Sequence, residues 1–510
     1  MARAAQQLDW LVALPLLIAL ELVGCRLQDD FVAALVQGSG GSGGSLASNG
    51  GASASGASGR DIGGGGGDIG GGGDIGGGGA SASGGSGQET GGSSVAEGGS
   101  VSNCPADRPT ISVPLADGTR GKRCSTWAAR RSFGHAVCSC NDMDVDGVLS
   151  TDALDSSQTD TGPVRGGAAV GVNGRYRGAD YIRIDGSFTV AGTARLDSPG
   201  GLDIAGDLRL AGATSAAGPI LVDRDAWLLA DTSSLSLATV RRNLHLGPSA
   251  ALIAPGPVLV AGDTFMDASS FPPPCACGPS EILDIGGIVA DGMVDNDNAI
   301  LGLNLDALAN VREATELMLR CGRFALQRIA GRAPISLHVS GRVALMVDGD
   351  AQLPPGFTLT LEPGAELDWF ISGNLSLSSQ MRIGDAERAA AVRVYALGSA
   401  EISHPGNDDV VMNLYAPRAP VTVEALGNIY GAVFASSITS RALLFAHYDR
   451  AVLHADAACT LEPTPSCSAC DQCSAVSTCS SGMCAACVRD ADCCFPLVCE
   501  QGECRGLKTD

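Results

Sequence analysis

The residues best placed to do chemistry form an acidic cluster. Asp142, Asp144, Asp146 and Ser150 put oxygen atoms at loop positions 1, 3, 5 and 9, and Gly147 permits a sharp turn; this is the spacing with which calcium loops surround a hard cation. Position 12, which carries a bidentate carboxylate in such loops, is alanine here. A structural calcium ion is therefore one prediction. A solvated acidic loop that caps the folded domain is the favoured alternative.

A second group could support acid–base chemistry on a polymer. Asp408, Asp409, His447 and Asp449 are the candidates for the paired carboxylates that polysaccharide hydrolases and lyases use. The chain's six histidines are scattered, and no nucleophile lies in a context typical of a catalytic triad. We therefore predict no catalytic residue and favour packing or hydrogen-bonding roles for His447 and Asp449. A carbohydrate-active enzyme stays the alternative.

The chain has 19 cysteines, which indicates an oxidising compartment. All but Cys25 are predicted to form disulfides: Cys104, Cys124, Cys138, Cys140, Cys275, Cys277, Cys321, Cys459, Cys467, Cys470, Cys473, Cys479, Cys484, Cys487, Cys493, Cys494, Cys499 and Cys504. We expect Cys321 to pair with Cys275 or Cys277, and Cys459 to take the one left over. Cys467, Cys470 and Cys473 also have metal-ligand spacing, but a secreted chain favours disulfides.

These residues must be positioned by a repeat that occupies residues 182–266. Its inward-facing candidates are Ile182, Ile184, Phe188 and Val190; Leu202, Ile204, Leu208 and Leu210; Ile220, Val222, Ala226 and Leu228; Ala238, Val240, Leu244 and Leu246; and Val258, Val260, Thr264 and Met266. Alternation at period two predicts strands with one buried face, and a repeat of 18 to 20 residues predicts stacked coils. The fold predicted is all-β, a right-handed parallel β-helix, with an antiparallel β-sandwich as the alternative.

Polar pairs separate the apolar pairs and predict the turns of the coil. They are Gly186-Ser187, Gly206-Asp207, Arg224-Asp225, Arg242-Asn243 and Gly262-Asp263. The apolar columns keep their register through steps of both 18 and 20 residues, as the positions Ile184, Ile204, Val222 and Val240 show. With about a dozen coils spaced about 4.8 Å apart, the rod would be on the order of 60 Å long.

Composition divides the rest of the chain. The predicted segments are a lipoprotein signal peptide at 1–25, a Gly/Ser-rich disordered tether at 38–103, a cysteine-containing entry or cap segment at 104–163, the β-helix at 164–456 with an insertion at 271–335, and a cysteine-rich tail at 459–510. Helical spacing of apolar residues in Asp306–Leu326 predicts a short helical excursion within the insertion. As a flexible coil, the tether would span about 45 Å.

The leader ends in Leu22-Val23-Gly24-Cys25, which resembles the bacterial lipobox. That resemblance implies cleavage before Cys25, lipidation of its sulfur and a stable membrane anchor. An ordinary secretory leader is the alternative. We expect an envelope protein, lipid-anchored to the outer membrane of a Gram-negative bacterium, and either surface-exposed or periplasmic.

Two further stretches resemble known families. The segments Val392–Tyr395, Asn413–Pro417, Gly427–Val433 and His447–Asp449 resemble an uncharacterised β-helical domain found at the C terminus of PilX-type pilus-assembly-related proteins and in surface lipoproteins. This resemblance covers about residues 340–455 and implies a parallel β-helix outside the cytoplasm, with no catalytic residues to transfer. The cysteine pattern from Cys487 to Cys504 resembles knottin or Dickkopf-like modules, which implies a small disulfide-bonded unit.

The net charge of −22 argues against nucleic acid as a partner, because phosphate backbones require clustered Lys and Arg. Aromatic residues make up only 4% of the chain, which leaves little material for ring-lined pockets. The function predicted is a non-enzymatic structural or adhesive envelope protein whose partners would be the membrane and surface polysaccharide or other envelope proteins. An inhibitory or receptor-binding role for the tail alone is a third hypothesis.

Overall fold

The computed structural model describes residues 109–114, 120–158, 164–197, 199–405 and 409–455, together with the backbone of four short strands between 478 and 506. Its main body is a parallel β-solenoid of about 14 turns. The parallel β-helix predicted from the repeat is therefore confirmed, and the sandwich alternative is wrong. Both disulfides between described cysteines lie in this body.

The first series of turns, which we call the N-terminal half, is built from three short strands per turn. They are β3 Val137–Ser139, β4 Met143–Val145, β5 Leu149–Leu154, β6 Val170–Val172, β7 Tyr176–Gly178, β8 Ile182–Ile184, β9 Phe188–Val190, β10 Ala194–Leu196, β11 Leu202–Ile204, β12 Leu208–Leu210, β13 Thr214–Ala216, β14 Ile220–Val222, β15 Ala226–Leu228, β16 Thr232–Ser234, β17 Ala238–Val240, β18 Leu244–Leu246, β19 Leu252–Ile253, β20 Val258–Val260 and β21 Thr264–Phe265. Most have a buried–outward–buried pattern, as in β8. Each turn buries its apolar face against the turns above and below it.

The register of these turns follows the repeat. Ile204 pairs with Ile184 on one side and with Val222 on the other, and Val240 pairs with Val260. The steps of 18 and 20 residues are absorbed in the turns, so the inward columns do not slip. The sequence showed two strands per turn but not the third. Inward residues of that third strand are less regularly apolar, as Thr214 and Thr232 illustrate.

The second series of turns, the C-terminal half, has longer and less regular strands. They are β22 Thr315–Leu319, β23 Gly322–Leu326, β24 Ile335–Val339, β25 Arg342–Val347, β26 Ala351–Gln352, β27 Thr358–Leu361, β28 Glu366–Ile371, β29 Leu375–Ser376, β30 Arg382–Ile383, β31 Val392–Ala396, β32 Ile402–His404, β33 Val410–Val411, β34 Asn413–Val423, β35 Gly427–Tyr430, β36 Val433–Ser440 and β37 Leu444–Asp449. Two 3-10 helices, Ala386–Ala391 and Arg450–His454, accompany them. The largest buried side chains of the solenoid include Trp369, Phe357 and Phe370.

The first solenoid turn in the sequence lies in the middle of the stack, between the two halves. The first turn, β3 to β5, pairs on one side with β6, β7 and β8 and on the other with β36 and β37, the last strands of the C-terminal half. Residues 137–154 therefore form the junction between the halves. The prediction that 104–163 is an entry segment with a loop that caps the solenoid is wrong in this part.

A return segment, residues 267–310, carries the chain from the end of the N-terminal half to the start of the C-terminal half. It contains α2 Ile285–Val294 and α3 Asn298–Leu301. The predicted helix at Asp306–Leu326 is wrong: residues 315–326 form β22 and β23, which pair in parallel with β24 and β25. The solenoid resumes before residue 336, so the insertion predicted at 271–335 is too long.

Two disulfides fix the return segment to the junction. Cys138 bonds Cys275 and Cys140 bonds Cys277. The expected pairing of Cys321 with Cys275 or Cys277 is therefore wrong, because both partners are used by the junction strand. Cys124 and Cys321 each form a disulfide as well, but their bonds are not among those between described cysteines. Gly171 leaves room for this crossing, since a Cβ there would lie 2.9 Å from the Pro274 ring.

An N-terminal segment precedes the solenoid and packs on it. It comprises the antiparallel pair β1 Thr110–Pro114 and β2 Arg120–Cys124, followed by α1 Trp127–Ser132. Arg120 binds Asp284 and Asp291 of the return segment at 2.7 and 2.6 Å. Ser125 donates to Asp368 of the C-terminal half. The segment therefore covers the C-terminal half together with the return segment.

In the tail, the structure describes two short antiparallel hairpins. They are formed by β38 Thr478–Ser480 with β39 Met483–Ala485, and by β40 Leu497–Glu500 with β41 Glu503–Gly506. The tail's predicted disulfides and those of Cys104 lie outside the described residues. Over the described ranges, no helix has the length and hydrophobicity needed to cross a membrane.

Candidate functional site

The predicted calcium loop lies at the junction and is largely extended. Met143 and Val145 are buried inward residues of β4, so the aspartates between and beside them point outward. Asp142 binds Arg175 at 3.1 Å, and Asp146 lies 3.3 Å from Arg177. Among the described residues, no three acidic, histidine or cysteine side chains are grouped as metal ligands. The carboxylates here instead join the first turn to the next one.

The candidate acid–base residues also make contacts between turns. Asp449 is fully buried and accepts hydrogen bonds from the backbone N–H groups of Ser156, Ala390 and Ala451. His447 Nδ1 lies 2.9 Å from Asp152 Oδ1, and its ring stacks on Tyr430 at 4.5 Å.

Asp409 accepts a hydrogen bond from Asn428 at 3.0 Å, whereas Asp408 lies outside the described residues. The candidate set is therefore not brought together around one cavity that the structure describes. Its members act as separate links between turns.

A different set of mainly polar residues lines a groove with a volume of about 480 Å³. The groove lies on the C-terminal half, and its lining comprises Asp306, Ala309, Gln327, Arg328, Ile329, Ala330, Asp348, Gly349, Asp350 and Gln352. These residues come from three places: the loop after α3, the turn after β23 and the turn after β25. Stacking of successive turns brings the last two together.

Backbone pairing holds the floor of the groove in place. Ile329 is buried, donates its N–H to Asp350 O at 3.0 Å and forms a parallel bridge with Ala351. Gln327 N donates to Leu305 O at 2.7 Å, which fixes the loop that carries Asp306. Asp350 Oδ1 accepts from the backbone and side-chain nitrogens of Asn374 at 2.8 and 3.1 Å. One of the three carboxylates is thus partly committed to the fold.

The chemistry available in the groove is that of hydrogen bonding to a polar ligand. Asp306, Asp348 and Arg328 are exposed, so their charged groups stay solvated. General acid–base catalysis by two carboxylates needs environments that push their pKa values apart, which burial of one of them usually provides. An exposed row of carboxylates, amides and a guanidinium is better suited to contact the hydroxyl groups of a carbohydrate chain.

The sequence pattern did not indicate this groove. Asp306 and Asp348 are distant in sequence, and the helix expected at Asp306–Leu326 assigned Asp306 to the wrong element. A usable signal did exist: Asp348-Gly349-Asp350 aligns with Ser372-Gly373-Asn374 one turn later, where Gly373 N donates to Gly349 O. Aligning the turns would have placed Gln327 and Arg328 on the adjacent turn.

A second outward feature is a stack of rings on the N-terminal half. The guanidinium of Arg209 lies 4.8 Å from the ring centre of Trp227, the Trp227 and His245 rings lie 4.9 Å apart, and those of His245 and Phe265 lie 5.0 Å apart. His245 Nδ1 also lies 2.7 Å from Asp267 Oδ1. We call these four residues the outer ladder. Both faces of the Trp227 ring and both faces of the His245 ring are occupied within the ladder, and Phe265 forms its last rung.

A known protein family matches only part of this chain. Residues 285–454 match a family model described as a domain of unknown function, DUF7305. That range begins at α2 and extends through the C-terminal half, but it excludes the turns from β3 to β21. No curated protein and no solved structure gives a significant match.

Proposed function

We propose that this protein is a non-enzymatic structural or adhesive component of a bacterial cell envelope, held to the membrane by a lipid on Cys25 and spaced from it by the tether at 38–103. The observation that carries the proposal is a parallel solenoid whose return segment is fastened to the junction between its halves by the bonds Cys138–Cys275 and Cys140–Cys277. Stable disulfides are typical of proteins outside the cytoplasm. The solenoid supplies a long, stiff body for display.

Contacts on the outside of the rod support a mechanical role. Arg175 and Arg177 bind carboxylates one turn away, and Arg241 and Arg441 do the same with Asp223 and Glu424. Ladders of side chains at the turns add to this: Asn243 N donates to Asp225 Oδ1, and Asp263 N donates to Asn243 Oδ1. Most polar groups in these positions serve the stack itself. A rod that uses its polar surface in this way is suited to bearing load and presenting its ends.

The anchor is tested by replacing Cys25 with serine in the full chain. We expect the parent chain to fractionate with membranes and to incorporate labelled fatty acid, and the Cys25→Ser chain to lose both properties. Replacing Ser45 with alanine in the tether is the matched control and should change neither. An unlabelled parent chain in the soluble fraction would refute the lipid anchor.

Exposure is tested by protease treatment of whole cells with and without permeabilisation of the outer membrane. An exposed adhesin loses the tether region in intact cells. Complete protection of intact cells, followed by cleavage after permeabilisation, would exclude the adhesive role and leave a periplasmic structural one.

The groove beside Asp348 favours one second candidate, a carbohydrate-active function. Its test is incubation of purified chain with acidic and neutral polysaccharides, with release of reducing ends and binding both measured. An enzyme would be established if the parent chain shows turnover and both Asp306→Asn and Asp348→Asn abolish it. The surface control Asp223→Asn should retain this turnover. Binding without turnover, lost in the same two variants, would instead identify the groove as the adhesive surface.

A further inference from the structure

The two ends of the solenoid differ in how they are closed. At the start of the C-terminal half, the return segment pairs with the outer edge of β23. Asp297 N donates to Arg323 O, and Asn298 bonds both the N–H and the C=O of Ala325 at 2.9 and 2.8 Å. Gln327 N and Ala330 N donate to the carbonyls of Leu305 and Leu308. The backbone groups along the outer edge of β23 are therefore paired by the chain's own return segment.

The last turn of the N-terminal half has no such cover within the described part of the chain. β19 pairs with β16, β20 with β17 and β21 with β18, and none of the three has a second strand partner there. Unpaired strand edges offer rows of hydrogen-bonding groups to another chain, and solenoids usually cap them with a polar turn. This last turn is instead apolar.

Exposed apolar side chains concentrate at this end. Ile253, Leu259 and Met266 are 53%, 56% and 59% exposed, and Val258 and Phe265 are 39% and 38% exposed. One turn earlier, the corresponding inward residues Ala238 and Val240 are fully buried. We call β19, β20 and β21 with Met266 the open end. Its inward column is an unfinished core, and its outward residues are apolar on all three faces.

The outer ladder leads to the same place. Trp227 stacks on His245 and His245 on Phe265, so the exposed face of Phe265 is the end of a ring stack that lacks its next member. A patch that combines an open strand edge, an open core and an open ring stack is typical of an interaction surface, and a partner with the same three features would complete all of them at once. Among the surfaces that the structure describes, the open end of another copy provides them.

We propose that two copies of this chain associate through their open ends. The surface is self-complementary under a two-fold axis perpendicular to the rod, which is the symmetry of isologous dimers. Such an axis makes one strand face meet itself and exchanges the other two, and the strands that meet run antiparallel, a pairing that sheets readily adopt. The resulting rod has a return segment at each distal end and is longer than either copy alone.

The test uses the full chain carrying Cys25→Ser, so that a lipid cannot itself cause association. Its mass in solution is measured by light scattering over a wide range of concentration. We expect a dimer. Replacing Ile253 and Leu259 together with lysine places four positive charges at the two-fold interface, and we expect the dissociation constant to rise at least about a hundredfold. The single variant Leu259→Lys serves if the double variant is poorly folded.

The matched control lies one turn away in the same outward columns. Ser233 pairs with Ile253 and Thr239 pairs with Leu259, so Ser233→Lys with Thr239→Lys adds the same charge one turn back from the edge that would meet the second copy. This control should stay dimeric, and circular dichroism should show unchanged strand content in every variant. A monomeric parent chain would overturn the proposal and indicate that the chain covers its own open end. A dimer that survives the Ile253 and Leu259 substitutions would overturn it as well.

Discussion

The two halves of the solenoid share one inner architecture but differ in one column of outward-facing side chains. This column is covered in the C-terminal half and ends exposed in the N-terminal half. In the C-terminal half this column runs through Phe370, Tyr395, Tyr415 and Phe434, all buried, and reaches Cys138 at the junction. Beyond the junction it continues through residues 171 and 189 into Arg209, Trp227, His245 and Phe265. The return and N-terminal segments cover the first part, while the second ends in the open.

This difference shows that a solenoid can gain a second core on its outside. The covered column stacks ring on ring, with centroids of Phe370 and Tyr395 4.7 Å apart and those of Tyr415 and Phe434 4.8 Å apart. Burial of such residues adds stability beyond that of the inner columns. We therefore expect the C-terminal half to be the more stable half, and the N-terminal half to be the more responsive to its surroundings.

The largest effect should come from breaking the ion pair beneath the cover. Arg393 and Asp368 are 1% and 2% exposed and lie 2.6 Å apart, and Glu366 also contacts Arg393 at 2.6 Å. Arg393→Met leaves two carboxylates without their cation, and we expect it to cost about 3–5 kcal/mol of unfolding free energy, measured by urea denaturation. The control is Arg241→Met in the N-terminal half, whose pair with Asp223 is 70% and 40% exposed; its loss should stay under about 1 kcal/mol. Equal losses would remove the distinction between the halves.

The junction disulfides should show strong non-additivity. Both bonds span 137 residues and begin two positions apart, so either one alone closes nearly the same loop. Replacing Cys140 and Cys277 with serine should therefore cost under about 1 kcal/mol. Removing both bonds releases the loop and should cost about 5 kcal/mol on loop entropy. Two equal and additive losses in urea denaturation would show that the bridges act separately.

A smaller effect tests whether the open end has an unfinished core. Val240 is 1% exposed, and Val260 lies directly above it in the same inward column but is only partly buried. Val240→Ala should cost about 2 kcal/mol, because it removes two methyl groups from a packed interior. Val260→Ala should cost less than half as much in monomeric protein, as measured by thermal denaturation at low concentration. Equal costs would mean that the last turn is covered.

The smallest effect depends on pH. Burial raises the pKa of Asp207, although Arg209 and the Asp225 N–H oppose that shift. Because the folded state binds this proton more tightly than the unfolded chain, stability falls as pH rises from the unfolded pKa, about 3.9, through the folded one. Asp207→Asn should therefore stabilise slightly at neutral pH, and the gain should vanish below about pH 4.

Asparagine is compatible with this turn, since Asn243 occupies the same position two turns later. Asp263, in that column at the exposed last turn, provides the control, and Asp263→Asn should show no comparable gain. A stabilisation of Asp207→Asn that persists below pH 4 would contradict the electrostatic explanation.

The sequence predicted the solenoid because its inward columns are apolar and periodic. Ile184, Ile204, Val222 and Val240 are stacked in the order that the repeat indicates and are buried. Local periodicity could not reveal the junction, because whether residues 137–154 contact residue 433 or the end of a rod depends on tertiary contacts alone. Helical spacing in Asp306–Leu326 was misleading, since Leu317 and Leu319 also satisfy the strand period.

The candidate site was less predictable than the fold. The spacing around Asp142 indicated a calcium loop, and Asp449 was a candidate for acid–base chemistry. In the structure, both carboxylates bind other parts of the stack. The groove near Asp348 and the open end near Leu259 arise from which turn is the neighbour and which turn is last. A local sequence pattern reveals neither of these two properties.

The most direct test of the contrast between the closed and open ends is hydrogen exchange of the two terminal strands in the full chain. At low concentration, we predict slow exchange in β23, whose outer edge the return segment pairs, and fast exchange in β20, whose outer edge has no strand partner in the described structure. Raising the concentration should slow exchange in β20 and leave β23 unchanged. Equal protection of both strands at every concentration would contradict the account.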